Sequence, residues 1–354
     1  SGAMMVPVGR LIMLRSVSKS QLIEAMAWVL MPAMIGPMLG PPLGGFITTY
    51  YSWHWIFFIN VPIGLLGLVM ALIHVPPLRM DKPARLDVRG LLLMGVALAA
   101  TMYGLDLFSR DSADWTRVGA FLAVAAVSGV AYGVHARRCA HPVLDFSLVR
   151  IQSFSVALVG GTLARIGFGA LPFLLPLMLQ LGMGLNAMQS GLAMLASGIA
   201  ALGAKGASVG VLRKFGYRNV LLWNGVACTV SLALCAVFRP GWPIPAIAAV
   251  LLLGGMARSL QYNVYGTFAY ADVPSARMSA ATSLNSTFQQ LSATLGVAFS
   301  VCVLHLSMQW SQRQAPVRGD FILAFTAVAL VTALAWPLCY RLPADSGRAL
   351  MGGR

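Results

Sequence analysis

Apolar residues run through this chain in blocks of about 20, separated by short polar stretches rich in arginine. At about 1.5 Å per residue, a helix of that length spans the hydrocarbon core of a bilayer, roughly 30 Å thick. The pattern predicts ten complete crossing helices, over residues 22–49, 55–75, 89–108, 118–135, 154–180, 188–210, 219–238, 244–265, 279–305 and 321–340. An eleventh run, residues 1–14, opens in mid-helix with neither an initiator Met nor a charged flank, which predicts a chain truncated at its N-terminus. The expected fold class is therefore an all-α polytopic membrane protein.

The polar positions support this reading. If the first run crosses outward to inward, the loops alternate sides, and sixteen of the 25 basic residues fall on the cytoplasmic side: Arg15, Lys19, Arg79, Lys82, Arg85, Arg89, Arg137, Arg138, Arg150, Arg213, Lys214, Arg218, Arg277, Arg341, Arg348 and Arg354. Five fall outside, namely Arg110, Arg117, Arg239, Arg313 and Arg318. Cytoplasmic loops carry such an excess because Lys and Arg resist translocation. Composition agrees, with 58% hydrophobic residues, 10% charged residues and a mean hydropathy of +0.78. A soluble domain has about 25% charged residues. The net charge of +15 is dispersed over many loops, so it argues for topology and against a nucleic-acid partner. No cofactor or metal is expected. Cys228, Cys235, Cys302 and Cys339 lie in apolar runs, Cys139 lies in a cytoplasmic loop, and none has metal-ligand spacing.

Within the second run, Gly36-Pro37-Met38-Leu39-Gly40-Pro41-Pro42-Leu43-Gly44-Gly45 places glycine every four residues and proline inside a helix. A membrane helix tolerates this because neighbouring helices re-satisfy the freed backbone groups and approach the bare glycine face. Shortly after comes Ser52-Trp53-His54-Trp55-Ile56-Phe57-Phe58-Ile59-Asn60-Val61-Pro62-Ile63-Gly64. Further on, two helices (89–135) stand between charged loops ahead of a block of six. Together these features resemble the fourteen-helix drug:proton antiporters of the major facilitator superfamily.

The resemblance implies a secondary active transporter and no enzyme. It assigns residues 1–75 to the end of helix 4 and helices 5 and 6 of the N-terminal half, 76–150 to a two-helix insert, 151–341 to the six-helix C-terminal half and 342–354 to a cytoplasmic tail. It also implies that the first three helices are missing, and with them the embedded acid and the Arg-Gln pair expected to couple protons. The short chain is thus expected to be inactive. By resemblance, Gly36, Pro37, Gly40, Pro41, Gly44 and Gly45 form the antiporter motif, a tight contact between halves. His54 departs from the Arg usual in the Trp-x-Trp stretch. The loop containing Gly210, Arg213, Lys214, Gly216 and Arg218 is similar to a degenerate gating-loop motif without its acid; ordinary positive-inside charge explains it equally well.

Four basic residues, Arg10, Arg165, Lys205 and Arg258, lie inside apolar runs. Arg10 and Lys205 sit near cytoplasmic ends, within snorkelling reach of the headgroups. Arg165 and Arg258 are deeper, so each either faces a cavity or snorkels to a helix break. Gln261 and Tyr262 follow Arg258 at three and four residues and share its side of a helix. Asn285 and Gln289, with Gln290, either bind substrate or, the favoured role, bridge helices. Glu24 and Asp106 sit near segment ends, where solvation is the expected role.

The expected partners are a lipid bilayer, a small-molecule substrate and protons, with any periplasmic adaptor left open. The expected setting is the bacterial cytoplasmic (inner) membrane, and the expected cargo is amphipathic drugs or toxic compounds, cations among them. A dedicated metabolite or siderophore exporter, and a non-transporting membrane subunit, remain alternatives.

Overall fold

The computed structural model describes Gly36 and residues 39–74, 87–108, 114–139, 142–274 and 277–343. The first predicted run, the front of the second, Pro37, Glu24, the loop 75–86 and the tail beyond residue 343 lie outside these residues, as does the side chain of Lys205. Among the described residues there are nine helices long and apolar enough to cross a membrane, from Trp55–Ile73 to Arg318–Tyr340. They follow the last nine predicted runs, most ends within five residues, with the largest difference nine residues at Gly210 against a predicted start of 219.

In chain order the helices are α1 (39–50), α2 (Trp55–Phe58), α3 (Asn60–His74), α4 (Val88–Phe108), α5 (Trp115–Arg138), α6 (Gln152–Leu177), α7 (Ala187–Ala236), α8 (Ile244–Phe268), α9 (Met278–Trp310), α10 (Arg318–Ala333) and α11 (Trp336–Tyr340). Every described side chain of α3 is exposed, Leu65, Leu66 and Leu72 included. An apolar surface of this extent is stable in lipid and a liability in water.

Local chemistry sets the breaks. α7 runs over 50 residues as two helical limbs, more than one crossing of the bilayer core requires. The turn between its two limbs falls at Gly216, whose φ of 75° and ψ of 160° suit a residue without Cβ. At its start, Asn186 Oδ1 accepts from the Gln189 N–H at 2.8 Å while Gln189 Oε1 accepts from the Asn186 N–H at 3.1 Å, a reciprocal cap. α6 contains Pro172 and Pro176 and loosens into a π turn over Met178–Gly182. Pro337, at the start of α11, separates that helix from α10.

Close crossings use small residues. A Cβ on Gly169 of α6 would stand 2.8 Å from the Ala293 Cα of α9, and one on Gly296 would run into the Ile166 carbonyl. In lipid, where apolar burial drives little, such backbone-to-backbone approach supplies the van der Waals contact that holds helices together. Two cores result. One gathers Tyr132, Leu148, Phe154, Tyr265 and Phe268; the other gathers Leu174, Met178, Phe238, Phe321 and Phe325.

The pair α4–α5 is tied to the remainder by polar contacts near Asp145. Tyr132 Oη donates to the Leu144 carbonyl at 2.9 Å and accepts the Leu144 N–H at 2.6 Å, with both groups buried. Asp145 caps the following 3-10 turn through the Ser147 N–H at 3.0 Å and pairs with Arg277 at 2.6 Å. Burial alone would push the Asp145 carboxyl up. The hydrogen bonds from Ser147 and from the Arg277 guanidinium outweigh this and hold it below the usual carboxylate range.

Candidate functional site

Arg165 lies thirteen residues into α6, about 20 Å along the axis and so at mid-bilayer depth. It is 3% exposed. Its guanidinium carbon stands 5.0 Å from the centroid of the Tyr262 ring of α8, an arrangement in which the ring face attracts the cation. Nε, Nη1 and Nη2 are all buried, and none has a hydrogen-bond acceptor among the described residues. Gly161, one turn earlier, leaves the space: a Cβ there would stand 3.0 Å from Arg165 Nη1 and 3.4 Å from Tyr265. A centrally placed Arg costs about 2.5 to 3.5 kcal/mol on insertion scales, a cost that no hydrogen bond among the described residues offsets here.

Tyr262 continues this cluster outward. Its hydroxyl donates to Gln289 Oε1 of α9 at 2.7 Å, and the ring is half-exposed. One turn before Gln289, Asn285 is buried and donates from Nδ2 to the Tyr270 hydroxyl at 3.1 Å, leaving Oδ1 without a donor. Four of the predicted cavity residues, Arg165, Tyr262, Asn285 and Gln289, therefore lie on the facing sides of α6, α8 and α9.

The other two point elsewhere. Arg258 Nη2 donates to Ser197 Oγ in the first limb of α7 at 2.8 Å, and Nη1 lies against Gly254. Gln261 turns to the second limb: it accepts from Asn224 Nδ2 at 2.7 Å and donates to the Leu221 carbonyl at 3.2 Å. Both bonds bridge helices. Gln261 also borders a cavity of about 140 Å³ shared with Tyr265, Thr332 and Cys339, too small for the 300–1,000 Å³ of a typical ligand site. Arg258, Gln261 and Tyr262 thus diverge where the sequence placed them on one side. Positions i+3 and i+4 are about 100° apart on the helix, enough to face different neighbours.

The glycine–proline run makes a close contact of its own. A Cβ on Gly45 of α1 would collide with the Ala187 carbonyl and stand 3.1 Å from Met188 Cα, while one on Gly191 would collide with the Pro41 carbonyl. The two backbones touch, with Pro41 and Gly45 on one side and Ala187, Met188 and Gly191 on the other. Gly36, Gly40 and Gly44 have no described atom within 4 Å of an added Cβ. Gly191 was not marked by any sequence motif; its only signal is its place one turn after a reciprocal cap. Ser197, Asn224 and Tyr270 were likewise missed, since a single small polar residue in an apolar run announces nothing.

In the predicted gating loop, Arg213 and Lys214 are exposed. Lys214 Nζ lies 5.4 Å from the Phe215 ring. Arg218 donates to the Tyr340 carbonyl at 3.3 Å and stacks over that ring, tying the turn to the end of α11. Gly210 ends without a close neighbour, and Gly216 supplies the bend. Where α4 begins and α5 ends, ligand atoms of Asp87, His135 and Cys139 lie within 4.8 Å of one another. Capping and pairing account for this group: Asp87 Oδ1 accepts from the Gly90 N–H at 2.9 Å and from His135 Nε2 at 2.8 Å.

Comparison with known proteins gives this geometry a family. The sequence pattern of the Major Facilitator Superfamily matches residues 1–297. A protein of Serratia proteamaculans named "Putative multidrug resistance protein MdtD" is 37% identical over 353 residues, covering 98% of this chain and 72% of that protein. Proteins of the same name from Pectobacterium carotovorum and Escherichia coli K12 are each 35% identical, with 98% of this chain and 74% of each relative covered. With crossing helices throughout, an embedded polar cluster and a glycine–proline seam, the chain is a multi-pass membrane transporter belonging to the Major Facilitator Superfamily.

Proposed function

We propose that the chain exports amphipathic compounds across a bacterial cytoplasmic membrane in exchange for protons. In this reading residues 1–75 belong to one half of the transporter, 151–341 form the other, and 76–150 are an insert between them. The carrying observation is the backbone contact of Pro41 and Gly45 with Ala187 and Gly191. It joins α1 of one half to the first limb of α7 in the other, where a smooth seam lets two bodies rock around a midplane site without leaking. The multidrug resistance names of the relatives supply the substrate class by analogy. Loose recognition suits the 19 Met residues and the aromatic walls, because flexible apolar side chains re-pack around different ligands.

Ethidium efflux from cells expressing the protein tests this. Faster efflux than from cells with an empty vector, abolished when a protonophore collapses the proton gradient, is the expected result. Efflux unchanged by expression, with the protein present in the membrane, would remove the drug-export reading. A narrower function, export of one metabolite or siderophore, draws support from Arg165, since a fixed buried cation suits a substrate of defined charge.

A further inference from the structure

We infer that the transport route also takes compounds that carry an oxyanion, a carboxylate or its like, which docks on the Arg165 guanidinium with the apolar body against Tyr262. The inference rests on the reading that the Arg165 cluster lines the transport route. Its basis is an imbalance in that cluster. A guanidinium presents five N–H donors in a planar fork, and here Nε, Nη1 and Nη2 are buried without an acceptor. The ion pairs among the described residues lie elsewhere: Asp114 with Arg117, Asp87 with His135, Asp145 with Arg277 and Asp320 with Arg313. Tyr262 offers a ring face but no formal charge.

The fork is held in place. Gly161 admits the guanidinium beside the α6 backbone, where an added Cβ would stand 3.0 Å from Nη1. The Tyr262 ring centroid lies 5.0 Å from the guanidinium carbon. A planar fork matches the two oxygens of a carboxylate in a bidentate pair, and Lys, a flexible point charge, does not. Away from water such a pair is strong, because no solvent competes for either partner. The Tyr262 ring is 43% exposed and Gln289 is partly exposed, so a ligand with an aromatic or apolar body next to its acid would meet the ring as its oxygens reach the fork. A purely cationic compound such as ethidium would gain nothing from the fork.

The test uses three probes of one shape and different charge: 1-naphthoate, its neutral amide 1-naphthamide, and cationic 1-naphthylmethylamine. Their affinities are measured with the purified protein in phosphatidylcholine nanodiscs. The wild-type protein is expected to bind naphthoate at least tenfold more tightly than the amide and to bind the amine least. Arg165→Gln should bring naphthoate and amide within about twofold of each other, while Arg165→Lys should keep part of the preference. Wild-type protein that does not distinguish the acid from its amide overturns the inference, and this arm needs no variant to fold. Nanodiscs containing phosphatidylglycerol separate a free anion from a lipid headgroup. Naphthoate binding that persists there supports a substrate site, and binding abolished there assigns the fork to a lipid phosphate and overturns the inference. Charge preference without ethidium efflux would sink the drug-export reading alone. Efflux that is gradient-driven, with a naphthoate preference untouched by Arg165→Gln, would sink this inference alone.

Discussion

Replacing Gly45 with Ala adds one methyl where two helices already touch through their main chains. The new carbon would collide with the Ala187 carbonyl and sit 2.9 Å from its carbon and 3.1 Å from Met188 Cα. Carbon atoms rest at about 3.5–4.0 Å, so α1 and α7 must separate by roughly 1 Å. Backbone atoms cannot rotate away as a side chain would. Overpacking of this kind costs about 1–3 kcal/mol, against which the better helix propensity of Ala returns at most about 1 kcal/mol. If the contact belongs to one of two alternating states, a net loss near 1.4 kcal/mol lowers that state about tenfold. Ethidium efflux per unit of protein in the membrane should fall by a similar factor. Gly191→Ala should act alike through the Pro41 carbonyl, and the double variant should lose less than the two single losses combined, because the first separation makes room for the second methyl. Gly40→Ala and Gly44→Ala, with no described atom in reach, should stay within about twofold of wild type. Wild-type efflux from Gly45→Ala at normal expression would refute the idea that this seam is tight in a working state.

Other sites give sharp expectations. Gln261→Leu leaves Asn224 Nδ2 with one acceptor fewer and frees the Leu221 carbonyl, so the melting temperature should drop by the equivalent of about 0.6–1.7 kcal/mol, the range for hydrogen bonds within membranes. Tyr132→Phe deletes a hydroxyl that serves both the N–H and the carbonyl of buried Leu144, which should cost about 1–3 kcal/mol and show as faster proteolysis between α5 and α6. Asp145 has a folded pKa below its unfolded value, so its contribution is complete above about pH 4 and fades as acid titrates the folded carboxyl. Thermal melts from pH 7 down to 3 should therefore show a decline that Asp145→Asn removes, with the variant already less stable at neutral pH.

Much of the fold was legible because lipid imposes a coarse rule, that every crossing needs about 20 apolar residues with an internally bonded backbone. Hence the nine described spans match the runs that hydropathy picks out, and even the length of α7 forces a turn where Gly216 provides it. Side-chain aim is finer than that rule. Arg258 and Gln261 were grouped with Tyr262 because three and four residues make one turn, yet Gln261 bonds Asn224 and Tyr262 bonds Gln289 on different helices. In a helix surrounded by others, a 100° difference changes the partner completely. The glycine–proline motif marked one side of the seam, whereas Gly191, its counterpart, follows no repeat and becomes visible only once the Pro41 carbonyl is seen against it.

The two deep arginines show why location alone does not assign a role. Both were conspicuous for the same reason, the cost of a guanidinium in hydrocarbon. Arg258 offsets part of that cost through Ser197 while its Nη1 lies against Gly254, so it links the first limb of α7 to α8 where Gly255 also meets Ser197. Arg165 has no geometrically formed hydrogen bond among the described residues, yet Gly161 keeps its space open and the Tyr262 ring centroid lies 5.0 Å away. A purely structural cation would gain from a nearby carbonyl or hydroxyl, as Arg258 does, and the neighbouring tyrosine hydroxyls are turned to Gln289, Cys339 and Asn285 instead. The cluster thus satisfies its tyrosines and leaves its cation open, the arrangement expected where the missing charge arrives with the cargo and leaves with it.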